Sequence, residues 1–231
     1  MNPQRDSSAG VMARPEAIVF RTAAELEKRG TDIENLISHG LPWILAAGRA
    51  YYYWLCGGKE GAERAVGNWI RRPDSESSIH RMLFAECDSK IAGGSIELNG
   101  AELKEARTAD VDSLWEILDM PGREALLEKL TQSADLFAPV AEDEYYGSKM
   151  TVSRAFRGQG LAGFMMQRWL DRGNELGYSK FRLDVQAENA VALKWYLEFG
   201  FTIFHTGQST DGALRYFGMR LERKPQQAGL R

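Results

Sequence analysis

Cysteine is scarce in this sequence, since only Cys56 and Cys87 occur among 231 residues. They form no CxxC pair and no cluster with histidine, so neither a disulfide framework nor a zinc site is indicated. We therefore expect no metal and a reducing, cytoplasmic location. The three histidines, His39, His80 and His205, are scattered along the chain and are interpreted as structural or surface residues.

The sequence also has no excess of positive charge and no long apolar run. The 29 Lys and Arg residues are outnumbered by 32 Asp and Glu residues, whereas a nucleic-acid-binding protein normally carries a basic face. The longest apolar run, 41–55, is interrupted by Arg49 and is shorter than the roughly 20 residues that a membrane-spanning helix requires. Residues 1–17 contain no apolar stretch of signal-peptide length. We expect neither a nucleic acid nor a membrane as a partner.

What is present fits one globular domain. The chain is 44% hydrophobic and 26% charged, which is an ordinary globular composition, and no internal repeat is visible. We expect a disordered tail over 1–16, a single domain over 17–223 and a C-terminal tail over 224–231. A helical insertion is expected at about 103–140.

Hydrophobic periodicity predicts alternating strands and helices. The expected strands are 17–21, 81–87, 90–98, 146–152, 181–185, 201–206 and 213–221. The expected helices are 31–40, 60–70, 111–120, 122–130, 160–176 and 189–199. Asp88-Ser89 separates the second and third strands, which indicates an antiparallel hairpin. The fold class predicted is α/β (α+β), with a mixed, mostly antiparallel central sheet flanked by helices.

The segment Arg157–Ala162, Arg-Gly-Gln-Gly-Leu-Ala, lies between a predicted strand and a predicted helix. The first-turn N–H groups of a helix lack helical partners, and the helix dipole places partial positive charge there. Gly158 and Gly160 let an anion approach the backbone, while Arg154 and Arg157 offer charge-assisted contacts. The loop therefore predicts a diphosphate site.

Two other interpretations of these glycines remain to be weighed. A glycine pair often only shapes a turn. Gly158, Gly160 and Gly163 also spell G-x-G-x-x-G, with Asp184 about 20 residues further on, which is the pattern of a dinucleotide-binding fold. Against it, the polar segment 153–157 separates the strand from the glycines, and too few strands follow to complete a doubly wound sheet.

The same loop resembles the signature of the GNAT acetyltransferase family, which is Arg or Gln, two residues, Gly, one residue, then Gly or Ala. Arg157, Gly160 and Ala162 occupy these positions. The resemblance is clearest over 146–221, where Leu-Asp-Val at 183–185 is followed by Asn189 and by the Gly-Phe turn at 200–201. It implies a GNAT-like fold and acetyl-CoA (CoA) as co-substrate.

The resemblance also implies roles for individual residues. The pyrophosphate-binding residues would be Arg157, Gly158, Gln159, Gly160, Leu161 and Ala162. The strand before them would meet the pantetheine arm through Met150, Thr151 and Val152. Asn189 would contact the cofactor or cap a helix, and Tyr196 would bind near the CoA sulfur and protonate the leaving thiolate. A tyrosine ring that only packs on the sheet is the alternative for Tyr196.

The general base is not secured by the sequence. The strand position where some family members carry a glutamate corresponds to Tyr146, and a phenol with an ordinary pKa is a poor base at neutral pH. Glu97 and Asp184 are the candidates for this catalytic role, with Glu86 and Glu144 as further substitutes. The competing interpretation of both Glu97 and Asp184 is a solvated surface charge.

Together these features predict an acetyl-CoA-dependent N-acetyltransferase that works by direct attack of an amine in a ternary complex. The alternative is a CoA-binding sensor or interaction module of the same fold without catalysis. The acceptor is a small-molecule amine or a peptide, and polyamines, antibiotics, amino acids and protein N-termini all stay open. The aromatic residues Trp43 and Tyr51–Trp54 line an acceptor pocket or pack in the core. A homodimer is left open.

Overall fold

The computed structural model describes residues 18–223, so the expected tails 1–16 and 224–231 lie outside the described residues. The described elements are, in chain order, β1 Ile18–Thr22, α1 Ala23–Lys28, α2 Ile33–Leu55, α3 Lys59–Trp69, β2 Met82–Cys87, β3 Lys90–Asn99, α4 Gly100–Ile117, α5 Met120–Gln132, β4 Glu144–Val152, α6 Leu161–Glu175, β5 Lys180–Gln186, α7 Ala190–Glu198, β6 Thr202–Gln208 and β7 Arg215–Glu222. Short 3₁₀ turns at Ile79–Arg81 and Arg154–Phe156 lead into β2 and follow β4.

The strands form one sheet in the order β1-β2-β3-β4-β5-β7-β6. The pair β4–β5 is parallel, and the other five neighbouring pairs are antiparallel. The predicted mixed, mostly antiparallel sheet flanked by helices is therefore confirmed. The dinucleotide-binding alternative is wrong, because that fold needs a mostly parallel, doubly wound sheet.

Strands β4 and β5 separate soon after they begin. Their register covers Glu144–Tyr146 of β4 and Lys180–Arg182 of β5. Beyond that, residues 147–152 keep their pairing with β3 and have none with β5, so the sheet opens at its centre. We call this opening, between the strand ending at Val152 and the strand that contains Phe181, the splay.

A bulge interrupts β4 inside the splay. Ile96 pairs with Ser148 and Gly94 with Thr151, so two residues of β4 oppose the single Ser95 of β3. Lys149, one of those two, adopts a positive φ of 55°. A bulge of this kind bends the strand and re-aims its side chains, which brings Lys149 into the site described below.

Helices cover both faces of the sheet, and each face has its own core. On one face α2–α5 bury residues such as Leu36, Ile44 and Phe84. On the other, the fully buried Trp169 of α6 stacks on Phe201 with ring centroids 6.0 Å apart. The sheet thus separates two environments, and its opening between β4 and β5 lies between them.

The helix α2 is much longer than the sequence predicts. The helix expected to end near Gly40 continues to Leu55, so the aromatic segment is helical and Pro42 lies inside α2. Gly40 is not a stop signal: a Cβ there would lie within 3.3 Å of side chains from Ile70, Ile79 and Met82, so glycine permits close packing. The helix α2 instead bends at Gly48, whose φ and ψ are non-helical.

The connection between β3 and β4 is helical, as expected, but it begins earlier than the sequence indicated. Asn99 caps α4 by accepting from the Glu102 N–H, while the Glu102 carboxylate accepts from the Asn99 N–H. This capping box places the start of the helix at Gly100. Pro121 stands in the first turn of α5, where its missing N–H costs nothing.

Candidate active site

A cavity of about 450 Å³ occupies the splay between β4 and β5. On one side it is lined by residues of α2 and α4, including Tyr52 and Arg107. On the other side it is lined by residues of α6 and α7, including Met166 and Tyr196. A ligand in this cavity can therefore touch both faces of the sheet at once.

The loop at Arg157–Ala162 leads into the first turn of α6. Gly158 and Gly160 have φ of 78° and 81°, a conformation that favours glycine, and Gly160 is the N-cap residue. Among the described residues, no side chain caps this turn, and a Cβ at Gly160 would meet no atom within 4 Å. An uncapped N-terminus of a fifteen-residue helix with an open approach fits a diphosphate.

Beside the splay, successive residues of β4 direct their backbone N–H and C=O groups alternately toward β3 and toward the opening. The Ser153 N–H donates to the Ala92 carbonyl at 2.8 Å, so Thr151 also directs its backbone groups toward β3. Met150 and Val152 then direct theirs toward the opening. The Val152 carbonyl accepts from Arg157 Nε at 3.1 Å, which ties the loop to the strand edge.

Asn189 and Tyr196 both line the cavity from the α7 side. Asn189 is the N-cap of α7, and its side-chain oxygen accepts from the Ala192 N–H at 3.2 Å. Tyr196 is half-buried and packs edge-on against Phe201. Desolvation raises the pKa of Tyr196 to about 12, so its hydroxyl stays protonated, and able to donate, throughout the neutral range.

Asp184 lies on the opposite face of β5 from Phe181 and Leu183, and it lines the cavity. Its interpretation as a solvated strand carboxylate is wrong, because only 4% of the side chain is exposed. The Tyr146 hydroxyl donates to Asp184 Oδ2 at 3.0 Å, and Arg107 Nη2 lies 4.0 Å from the same oxygen. Burial raises the pKa of Asp184, and Arg107 opposes this shift.

A buried ion cluster that the sequence analysis did not identify adjoins Asp184. Glu76 accepts from Ser148 Oγ at 2.8 Å, from Lys149 Nζ at 3.0 Å and from Arg107 Nε at 3.1 Å. Burial by itself would raise the pKa of Glu76, but Lys149 and Arg107 hold it well below its usual range. Glu76 is therefore a permanently ionised anchor for the two cations.

Asp110 of α4 is the third carboxylate of this cavity and was also missed. Burial raises its pKa to about 7, the nearby Glu76 carboxylate adds to the rise, and the Ser75 hydroxyl opposes it. Within residues 18–223, neither Asp110 Oδ1 nor Asp184 Oδ1 has a hydrogen-bond partner, although both atoms are buried.

The sequence held weak signals for these residues. Lys149 is the one charged residue among the strand residues 146–152, and Glu76 stands between serines in a loop. Arg107 and Asp110 are three apart on a helix and so share a face. Nothing in the sequence indicated that these three segments meet.

The other carboxylates considered as bases are not brought to the cavity. Glu97 pairs across the strands with Gly147, and a Cβ at Gly147 would point at Trp169, so Glu97 faces α6. There it forms an ion pair with Arg168 and accepts from Tyr145 Oη at 2.9 Å. Glu86 pairs with Arg21, while the buried Glu144 pairs with Arg182 and Arg220.

Of the aromatic residues of α2, some line the cavity and others pack or hydrogen-bond elsewhere. Tyr51 and Tyr52 line the cavity. Trp43 packs near Phe84 with ring centroids 6.4 Å apart, and Trp54 Nε1 donates to Asp211 at 2.8 Å. The histidines do not line the cavity: His205 Nε2, for example, lies 3.1 Å from the Asp135 carbonyl.

Neither a metal-binding cluster nor a membrane-spanning helix is present within residues 18–223. No three His, Cys, Asp or Glu side chains come together there in a way that would hold a metal ion. None of the helices in that range is both long enough and apolar enough to span a bilayer.

Solved structures of other proteins share this fold. Solved structures with a similar fold include an N-acetyltransferase from Staphylococcus aureus Mu50, 21% identical over 79% of this chain and 96% of that chain, with a TM-score of 0.53. Another is an acetyltransferase, 17% identical over 89% of this chain and 100% of that chain, also with a TM-score of 0.53. A third is a ribosomal-protein-alanine N-acetyltransferase from Brucella melitensis, 14% identical over 89% and 99%, with a TM-score of 0.50.

No curated protein matches the sequence at a significant level. The family model described as Acetyltransferase (GNAT) family, in contrast, matches residues 53–201, which is more than half of the chain and includes the 157–162 loop, Asn189 and Tyr196. The chain therefore belongs to the GNAT acetyltransferase family and is an acyltransferase.

Proposed function

We propose that this protein transfers an acetyl group from acetyl-CoA to an amine by direct attack in a ternary complex. The observation that carries the proposal is the cavity at the splay, which runs from the α6 and α7 side of the sheet to the carboxylates of Glu76, Asp110 and Asp184 on the other side. A donor bound on one side and an acceptor on the other would meet where β4 and β5 part.

The residues on the donor side fit CoA. The uncapped first turn of α6 and the glycines at 158 and 160 would hold the pyrophosphate, with Arg157 beside it. The backbone groups of Met150 and Val152 would pair with the amides of the pantetheine arm, and Thr151 would keep that edge in register through its pairing with Gly94. CoA supplies the thioester whose acyl group is transferred.

The residues around the splay would handle the protons of the reaction. The amine nitrogen bonds to the acetyl carbonyl carbon, the carbon–sulfur bond breaks, and the amine loses one proton. Asp184 would accept that proton, because its Oδ1 has no partner within residues 18–223 and burial raises its pKa, which makes it a better base. The Tyr146 hydroxyl on Oδ2 would hold the carboxylate in place.

Tyr196 would serve the leaving group. Its phenol is protonated over the whole neutral range, so it is always available to donate to the CoA sulfur as negative charge develops there. Asn189 would fix the start of α7 through its cap, and thereby the position of Tyr196 seven residues later.

Binding calorimetry with acetyl-CoA tests the donor site. Gly160→Val should weaken acetyl-CoA binding at least about 10-fold, because the new side chain fills the anion approach and a β-branched residue is strained at φ of 81°. Gly177→Val is the matched control: Gly177 follows the other end of α6, has φ of 90°, and a Cβ there also meets nothing within 4 Å. Equal affinities of the two variants for acetyl-CoA would contradict the assignment of the 157–162 loop to the CoA pyrophosphate.

A further inference from the structure

The side of the cavity away from α6 and α7 has an excess of negative charge. Its charged lining residues are the carboxylates of Glu76, Asp110 and Asp184 and the cations of Arg107 and Lys149. Glu76 satisfies both cations, since each lies within 3.1 Å of one of its oxygens. Among residues 18–223, these three carboxylates and two cations leave one negative charge of the cavity lining without a counterpart.

The unmatched charge coincides with unsatisfied atoms. Asp110 Oδ1 and Asp184 Oδ1 are buried, and neither has a hydrogen-bond partner within residues 18–223. Buried carboxylate oxygens without partners are costly and are normally satisfied in the functioning protein. The Asp184 side chain is only 4% exposed. Two acceptor atoms in one cavity call for a ligand with two donor groups.

The walls of the cavity suit a cation. Tyr51, Tyr52 and Phe137 line it with aromatic rings. These rings already receive cations: Lys149 Nζ lies 5.3 Å from the Tyr52 ring centroid, and the Arg107 guanidinium lies 5.5 Å from that of Phe137. Aromatic faces attract ammonium groups, and the methylene chain of an alkylamine packs on the same surface.

From these observations, and given the acetyl transfer proposed above, we propose that the acceptor is a small diamine. One amine, as an ammonium ion, binds Asp110 Oδ1 and supplies the missing positive charge. The other amine, neutral when it attacks, donates its N–H to Asp184 Oδ1 at the splay. A cavity of about 450 Å³ accepts a short aliphatic diamine beside the end of the pantetheine arm.

The first test compares acceptors with one amine and with two amines, using the unaltered protein. Acetyl-CoA turnover at about pH 8 is measured with three four-carbon probes: putrescine with two amines, butylamine with one, and γ-aminobutyrate with one amine and a carboxylate. We expect kcat/KM for putrescine to exceed that for butylamine about 10- to 100-fold, the range of a hydrogen bond to a charged group. Equal kcat/KM for putrescine and butylamine, or preference for butylamine or for γ-aminobutyrate, would overturn the proposal.

Asp110→Asn gives the second test, with Asp112→Asn as its control on the exposed side of the same helix. Asp110→Asn should raise KM for putrescine about 10- to 100-fold and leave KM for acetyl-CoA unchanged, whereas Asp112→Asn should leave both KM values unchanged. Unchanged putrescine kinetics would contradict the role of Asp110. The two proposals fail differently: loss of the diamine preference with acetyl transfer intact overturns only the acceptor, whereas no transfer to any probe overturns the enzyme function itself.

Discussion

Replacing Asp110 by asparagine should stabilise the protein, and increasingly so as the pH rises. Burial raises the pKa of Asp110 from an ordinary 3.8 to about 7. Because the folded-state pKa lies above the unfolded-state pKa, the folded protein binds this proton more tightly than the unfolded chain. The free energy of unfolding therefore falls as the pH rises from about 4 to about 7, and asparagine removes this dependence.

The size of the effect follows from the pKa difference. Each pKa unit corresponds to about 1.4 kcal/mol, so the full shift is worth roughly 4 kcal/mol, and about 2–3 kcal/mol of it develops between pH 5 and pH 8. Asp110 is half-buried rather than fully buried, so solvent screening brings the expected change to about 2 kcal/mol. Urea denaturation of both proteins at pH 5, 6, 7 and 8 measures it.

The stability difference between Asp110→Asn and the unaltered protein should grow with pH up to about 7 and then level off. The exposed Asp112→Asn variant should show no such growth. A difference that stays constant over this range, or an asparagine variant that is less stable than the unaltered protein at pH 8, would refute the raised pKa of the Asp110 carboxyl group.

Further predictions concern the reaction and the ion cluster. Tyr196→Phe should lower kcat about 100-fold with little change in KM for acetyl-CoA, measured by thiol release, because only the developing sulfur charge loses its donor. Asp184→Asn should lower kcat at least about 100-fold, because the proposed general base is lost. Glu97→Gln, on the face toward α6, should stay within about 3-fold of the unaltered kcat. The reverse order of the two effects would identify Glu97 as the general base. Glu76→Gln should lower the urea-derived unfolding free energy by about 3 kcal/mol, because Lys149 and Arg107 lose their shared carboxylate, and an unchanged value would show that the cluster is not coupled.

Much of the fold was predictable because its local signals are strong. Strand alternation at 181–185 and the Gly-Phe turn at 200–201 placed β5, α7 and β6 within two residues of their observed bounds. The end of α2 was not predictable, because Gly40 and Pro42 normally indicate a helix boundary, while here packing against Ile70, Ile79 and Met82 outweighs that preference.

The candidate site divides in the same way. The proposed donor side is local in sequence, since a single loop, one strand and one helix start would supply it, and so the residues at 150–162 could be proposed from the sequence alone. The proposed acceptor side would be assembled from the 73–78 loop, α4 and the β4 bulge, which are separated by more than 70 residues at the extremes. A bulge that turns Lys149 toward Glu76 depends on the register of β3 and β4, and no local pattern reveals it.

The most direct test of the central claim is a single reaction with the unaltered protein. Acetyl-CoA and putrescine are incubated with it at about pH 8, and the acceptor is analysed by mass spectrometry while free thiol is titrated. We predict one monoacetylated amine for each thiol released. Tight binding of acetyl-CoA with neither product, for putrescine and for every other amine tried, would contradict the account and favour a CoA-binding module without catalysis.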